Sequence, residues 1–157
     1  RIDFKNIDAL IIPGGESTSI KKLIQKNNIF KEIYNFIHIE KKPVFGICAG
    51  CILLSKNILN NNELEKGVFD AIDITTIRNY YGSQINSFVK KINLSKFGNF
   101  NCIFIRAPII KEVNNCEILG ELNNKPIIVK KNNILVVTFH PELTNNNCIH
   151  KYFLSMI

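Results

Sequence analysis

The stretch PVFGICAGC, residues 43–51, decides the fold prediction, because an apolar run passes directly into a turn of small residues. Residues 43–47 are typical of a short buried strand, and the apolar residues from 51 to 59 predict a helix. Gly46 and Gly50 flank Cys48 at two positions on either side. A cysteine between such glycines, where a strand turns sharply into a helix, is typical of a nucleophile elbow.

Cys48 has three interpretations from this stretch alone. As a nucleophile, its sulfur would lie exposed above the sheet at the start of a helix, where backbone N–H groups and the helix dipole favour the thiolate. As a structural residue it would only fill the turn, and G-x-C-x-G is equally compatible with that. Cys48 and Cys51 also form the C-x-x-C pattern of thiol–disulfide oxidoreductases. Partners elsewhere in the chain must separate these interpretations.

A candidate base and its orienting carboxylate follow a second apolar run. Residues 134–139 predict a buried strand that ends in His140 and, two positions later, Glu142. A strand end holds an imidazole rigidly, and the carboxylate can fold back onto its second ring nitrogen. His38 and His150 lie in predicted helices and are poorer candidates. With Cys48, these two residues form a candidate nucleophilic triad, whereas a redox pair needs neither of them.

A glycine-rich turn, PGGES at residues 13–17, follows the first predicted strand. Glycine lets backbone N–H groups point into a pocket with no side chain in the way. The N–H groups of Gly15 and Ala49 are therefore candidate donors of an oxyanion hole. The turn would also suit a plain strand–helix connection or a phosphate cradle, although no G-K-[ST] of a Walker loop follows.

The patterns along the whole chain predict an α/β protein of one domain. The predicted elements are a strand at 8–12, a helical segment at 20–37 capped by Ser17, Thr18 or Ser19 and broken near 27–28, a strand at 43–47, a helix at 51–59, a loop at 60–66, strands near 69–77 and 103–105 separated by an irregular region at 80–98, strands at 117–122, 126–130 and 134–139, and a helix near 147–156. Alternating strands and helices followed by hairpins predict a mostly parallel sheet with an antiparallel extension.

Composition argues against several classes of function. The net charge of +7 comes from lysines spread over all 157 residues, so no nucleic-acid site is expected. No apolar run is long enough to cross a bilayer, and no membrane partner is expected. Five irregularly spaced cysteines without a signal segment predict free thiols in the cytoplasm. Only Cys48 and Cys51 have ligand spacing, so a zinc site is not expected. No other cofactor is expected either.

Together these motifs resemble those of the class I (triad) glutamine amidotransferases, and more narrowly those of the glutaminase subunits of pyridoxal 5′-phosphate synthase. Two segments carry the narrower resemblance: RNYYGSQ at 78–84, with Ser87-Phe88 after it, and FIRAP at 104–108. The resemblance extends from residue 8 to the final helix. It implies a flavodoxin-like three-layer sandwich and hydrolysis of L-glutamine to glutamate and ammonia. It also implies a (β/α)8-barrel synthase subunit that receives the ammonia.

The same resemblance implies the role of each candidate residue. The catalytic residues would be the nucleophile Cys48, the acid and base His140, and the orienting Glu142. The residues that match glutamine-binding positions are Gly15, Glu16, Ser17, Arg78, Ile105 and Arg106. Two arginines and a carboxylate suit an amino-acid zwitterion, although isolated arginines also form surface ion pairs.

Two departures from the family pattern follow from the same comparison of motifs. Ser83 stands where many members have arginine. Members begin with a strand ending in Leu-Gln-Gly, a helix and a second strand, roughly 30 or more residues. This sequence begins at Arg1 without them, so we expect the N-terminal βαβ unit to be missing. A glutaminase serving another amidotransferase, a thiol–disulfide oxidoreductase and a catalytically idle subunit are the alternative functions.

Overall fold

The computed structural model describes residues 3–78 and 87–157. Its α-helices are α1 (Ser17–Lys26), α2 (Phe30–His38), α3 (Ala49–Leu54) and α4 (Cys148–Leu154). Its strands are β1 (Leu10–Ile12), β2 (Val44–Ile47), β3 (Ser55–Asn60), β4 (Glu63–Lys66), β5 (Ile72–Ile77), β6 (Ser87–Leu94), β7 (Gly98–Ile105), β8 (Ile109–Val113), β9 (Glu117–Leu122), β10 (Lys125–Lys131) and β11 (Ile134–Val137). One-turn 3₁₀ helices span Phe4–Asn6 and Pro141–Leu143.

The sheet that carries the candidate site is built around the parallel neighbours β2 and β11. Its strand order is β1-β2-β11-β10-β9. β2 pairs in parallel with β1, where Val44 lies opposite Leu10, and with β11, where Ile47 lies opposite Val137. β10 and β9 extend the sheet in the antiparallel sense. The predicted α/β fold, with a parallel centre and an antiparallel hairpin extension, is confirmed.

Both faces of this sheet are covered by apolar cores, because successive side chains of a strand point to opposite faces. On one face, Val44 packs with Phe36 of α2. On the other, Phe45 packs with Phe153 of α4, with ring centroids 5.3 Å apart. All four residues of β2 are buried as a result. Helices on both faces of a largely parallel centre give the three layers expected of this fold class.

The helix predicted at 51–59 is wrong in its second half. α3 ends at Leu54, and Ser55 begins β3. The N–H groups of Phe69 and Ala71 donate to the carbonyls of Leu53 and Leu54, at 3.0 and 2.8 Å. These bonds from a distant segment take the acceptors that the next helical turn would need. The apolar residues that suggest a continuing helix instead pair in a second sheet, of order β4-β3-β5-β8.

The loop predicted at 60–66 is also wrong, since β3 and β4 form an antiparallel hairpin. Asn61 and Asn62, between the two strands, both adopt left-handed backbone conformations, with φ of 48° and 66°. Asparagine tolerates this region, and two such residues in a row suit a tight hairpin turn. The Asn-Asn pair was therefore the sequence signal for this hairpin.

The region predicted to be irregular at 80–98 contains a regular strand. Residues 87–94 are β6, which pairs with β7 in a two-stranded ribbon. Residues 80–86 lie outside the described residues. β8 was not predicted at all, and it pairs with β5. The predicted helix break near 27–28 is confirmed, where Asn28 has a φ of 53°.

Candidate active site

Cys48 occupies a sharp turn between β2 and α3. Its φ is 50°, a left-handed value that is costly for a residue with a side chain. The turn has no room for larger neighbours: a Cβ on Gly50 would clash with the carbonyl oxygen of Ile12, and one on Gly46 would lie 2.8 Å from the Gly50 carbonyl. The Cys48 N–H donates to the Val137 carbonyl at 2.9 Å. The glycines at two positions on either side of Cys48 are thus required by contact.

The prediction that the Cys48 sulfur is exposed is wrong, since only 5% of the residue is accessible to solvent. Burial raises the pKa of the thiol to about 11, and the charge of Glu142 acts in the same direction. The Ala49 N–H opposes them as a hydrogen-bond donor to the sulfur. α3 has only six residues, so its dipole offsets little of this burial. At neutral pH the resting residue is a thiol rather than the predicted thiolate.

His140 and Glu142 form the predicted pair immediately after β11. The backbone N–H of His140 donates to the Ile103 carbonyl at 2.8 Å, which fixes the backbone of His140 against β7. The Nδ1 atom lies 2.6 Å from Oε1 of Glu142, which stands on the 3₁₀ turn. A carboxylate in this position requires the proton on Nδ1 and leaves Nε2 as the free base. The ring also packs so closely on Gly14 that a Cβ there would clash with it.

Glu16 has a structural use that the sequence did not reveal. It is the N-cap of α1, in place of the predicted Ser17, Thr18 or Ser19. Its carboxylate accepts the N–H groups of Thr18 and Ser19 at 3.0 and 2.8 Å, and both hydroxyls as well. These hydrogen bonds, chiefly from the two hydroxyls, lower the pKa of Glu16 to about 2. The carboxylate expected to meet a zwitterion is therefore already occupied by its own helix.

Arg78, Ile105 and Arg106 come to the same place from the ends of β5 and β7. The Nε of Arg78 is buried and makes no hydrogen bond to any described residue. The Cys48 thiol donates to the Ile105 carbonyl at 3.8 Å. Arg106 is exposed and adopts a left-handed φ of 46°, which turns the chain at the end of β7. A buried guanidinium nitrogen that has no acceptor among the described residues is suited to an anionic ligand.

These groups line one cavity of about 680 Å³ at the carboxyl ends of β2 and β11, the carboxyl-end cavity. Its lining residues are Gly15, Glu16, Ser17, Cys48, Ala49, Ile52, Arg78, Ser87, Ile105, Arg106 and His140. Every predicted site residue contributes except Glu142, which stands behind His140. Ile52 and Ser87 were not predicted as site residues. The signal for Ile52 was its helical spacing of four from Cys48.

Cys51 takes no part in this cavity. It is fully buried and packs in the core on one face of the sheet, whereas Cys48 packs with the core of the other face. Burial also raises the pKa of the Cys51 thiol strongly. A thiol that is inaccessible and protonated cannot exchange with a substrate disulfide. The C-x-x-C spacing is therefore incidental to a turn that needs Cys48 alone.

This geometry agrees with the comparison to known proteins. A sequence model of the SNO glutamine amidotransferase family matches residues 1–157. The chain belongs to this family. The amidotransferase is 47% identical to the pyridoxal 5′-phosphate synthase subunit PdxT of Thermoplasma volcanium, over 98% of this chain and 75% of that protein. It is 45% identical to the subunit of the same name from Francisella tularensis, over 98% of this chain and 80% of that protein.

The fold of the amidotransferase also matches a solved structure. A crystal structure of a glutamine amidotransferase superposes with a TM-score of 0.87 at 35% identity, covering 97% of this chain and 80% of that one. Over the described ranges, no helix is long and apolar enough to span a bilayer. The same ranges contain no group of three His, Cys, Asp or Glu side chains placed to hold a metal.

Proposed function

We propose that this amidotransferase hydrolyses L-glutamine to glutamate and ammonia, and supplies the ammonia to the synthase subunit that makes pyridoxal 5′-phosphate. The observation that carries this is the meeting of Cys48 with the hydrogen-bonded pair of His140 and Glu142 at one cavity. Its volume of about 680 Å³ is ample for an amino acid. The names of the PdxT relatives support the choice of synthase.

In the first half of the reaction, Nε2 of His140 removes the proton from the Cys48 thiol as the sulfur attacks the side-chain amide carbon of glutamine. The Gly15 and Ala49 N–H groups stabilise the resulting oxyanion. His140 then gives its proton to the leaving nitrogen, so that ammonia departs and a Cys48 thioester remains. Glu142 stabilises the imidazolium formed between these two transfers.

In the second half, His140 takes a proton from water, which attacks the thioester carbon. Collapse of this second oxyanion breaks the carbon–sulfur bond and returns the proton to Cys48, releasing glutamate. Arg78 and Arg106 hold the substrate α-carboxylate, a role supported by the buried Nε of Arg78, which has no acceptor within residues 3–78 and 87–157. Glu16 contributes to glutamine binding through its backbone and through the helix that it caps. Ser17 and the Ile105 carbonyl contribute to the same binding site.

The raised pKa of Cys48 supports low activity for the chain alone. A buried thiol held by a carbonyl needs the substrate and a docked partner to favour its deprotonation. We propose that this partner is a (β/α)8-barrel synthase subunit that covers the carboxyl-end cavity. The five free cysteines support action in a reducing compartment, the cytoplasm.

A diazo-ketone analogue of glutamine tests the proposal. With the synthase subunit present, we expect one equivalent of label on Cys48, detected by mass spectrometry of the digested protein. Cys48→Ala should remove the label, and the matched variant Cys51→Ser should keep both the label and ammonia release. No labelling of Cys48 in the complex, or loss of activity in Cys51→Ser with the fold intact, would contradict the proposal.

A further inference from the structure

A second cavity, of about 440 Å³, lies at the opposite ends of the same two parallel strands. We call it the amino-end cavity. Lys41 and Lys42 reach it from just before β2, Lys131 from the end of β10, and Asn132 from the turn between β10 and β11. His38, the last residue of α2, completes the polar part of its wall. None of these residues belongs to the carboxyl-end cavity, so the second cavity is independent of the proposed glutaminase chemistry.

The charge of this cavity is positive and largely uncompensated. No carboxylate is among the described residues that line it. Lys42 is already occupied: its ammonium lies 3.0 Å from Glu40 and donates to the Ile7 carbonyl at 2.9 Å. Lys41 and Lys131 form no ion pair within residues 3–78 and 87–157. Two ammonium groups are thus available to an anion.

The backbone around these lysines is held in place before any ligand arrives. The Asn133 side chain donates to the Lys41 carbonyl at 2.6 Å, and the Val44 N–H donates to the Asn133 carbonyl at 2.9 Å. Lys41 and Asn132 both have left-handed φ values, of 53° and 51°. These bonds join two turns that are 92 residues apart in the chain. A cross-linked pair of turns reduces the entropic cost of gathering two cations around one ligand.

His38 is fixed as well, and the rest of the wall is apolar. Its Nε2 donates to the Phe69 carbonyl at 2.7 Å, and its ring packs on Tyr34 with centroids 4.3 Å apart. The apolar lining consists of Ile37, Ala71 and Ile134. The cavity therefore combines a cationic rim with a small hydrophobic wall.

We propose that the amino-end cavity binds a small organic phosphate monoester. A phosphate dianion matches the two free ammonium groups, and the Asn132 amide supplies a further donor. The apolar wall covers the carbon skeleton of the ester, whereas inorganic phosphate would make no use of that wall. A singly charged carboxylate would balance the charge of only one of the two lysines.

Isothermal titration of the full chain at fixed ionic strength tests this, with propyl phosphate and inorganic phosphate as the two probes. We expect saturable binding of propyl phosphate, tighter than that of inorganic phosphate. Lys41→Gln and Lys131→Gln should each weaken it about tenfold, because each removes one charge-assisted contact. Lys22→Gln removes the same charge from exposed α1 and should leave the affinity unchanged.

Three results would overturn the proposal. The first is an absence of saturable binding up to about 10 mM propyl phosphate, which corresponds to an affinity too weak for a site. The second is an equal loss of affinity in Lys22→Gln, which would indicate attraction by net charge alone. The third is equal affinity for both probes, which would remove the role of the apolar wall. Melting curves of the variants establish that each remains folded.

Discussion

The two ends of β2 and β11 carry cavities of opposite construction. At the carboxyl ends, Cys48 and His140 are held by a strained turn and by glycines that leave no space for a Cβ. At the amino ends, the cavity is lined by the long side chains of exposed Lys41, just before β2, and of half-buried Lys131, the last residue of β10. The difference follows from what each must do. Moving a proton between two atoms needs fixed positions, whereas attracting an anion needs charge and tolerates movement.

The largest effect should come from breaking the fixed geometry at the carboxyl end. Glu142→Gln should lower the glutaminase kcat by about 10²- to 10⁴-fold, because an amide neither stabilises the imidazolium nor enforces the Nδ1–H tautomer. KM for glutamine should change little. Glutamate formation in the complex with the synthase subunit measures this, with Glu117→Gln on exposed β9 as the matched control. A kcat near that of the wild type would exclude Glu142 from the triad.

The resting state of Cys48 gives the second effect. With a pKa of about 11 against an ordinary 9.0, the thiolate fraction near pH 8 should be about 100-fold below that of a free cysteine. Alkylation of Cys48 by iodoacetamide in the isolated chain should therefore be slow and should rise about tenfold per pH unit between pH 7.5 and 9.5. Site-resolved mass spectrometry follows it. A plateau below pH 9 would contradict a buried, protonated thiol.

The close contacts at the carboxyl end predict a stability effect. Gly50→Ala should lower the free energy of unfolding by about 2 kcal/mol or more, since the added Cβ meets the rigid Ile12 carbonyl. Gly98→Ala is the control, because no atom of the described residues lies within 4 Å of the Cβ that it adds, and only the φ of 70° is unfavourable. It should cost about 1 kcal/mol. Urea unfolding measures the free energy of unfolding of both variants. An equal loss in the two would mean that the close contact at Gly50 does not account for the effect.

The smallest expected effect tests the independence of the two ends. Lys41→Gln and Lys131→Gln should leave kcat and KM of the glutaminase within about twofold of the wild type, as surface changes away from a site generally do. Steady-state kinetics of the complex without added phosphate ester are the measurement. A large fall in kcat in either folded variant would mean that the two cavities are coupled through β2 and β11.

The sequence was most informative where a local pattern is tied to a local geometry. The glycines around Cys48 and the two-residue spacing of His140 and Glu142 predicted the turn and the pair that the structure contains. It was least informative where distant segments compete for backbone hydrogen bonds. The end of α3 at Leu54 depends on donors from Phe69 and Ala71, which no periodicity near residue 54 reveals.

The lysines show the same limit for charge. Along the sequence they are scattered, and no segment concentrates them. The pairing of β2 with β11 nevertheless brings Lys41 and Lys131 to one cavity, because parallel strands begin at the same edge of a sheet. Glu16 is the complementary case, since the carboxylate that the motif offered to the substrate accepts local hydrogen bonds from Thr18 and Ser19.

By itself, the sequence determined the α/β fold class, the family and the chemical identity of the proposed triad, since these depend on residue types at short, fixed spacings. Only the tertiary structure decided the protonation of Cys48, the isolation of Cys51 and the gathering of the lysines. The physical reason is that burial, packing and electrostatic environment are set by segments far apart in the chain. The spacing of residues in the sequence identifies the reacting groups, and packing determines their protonation and accessibility.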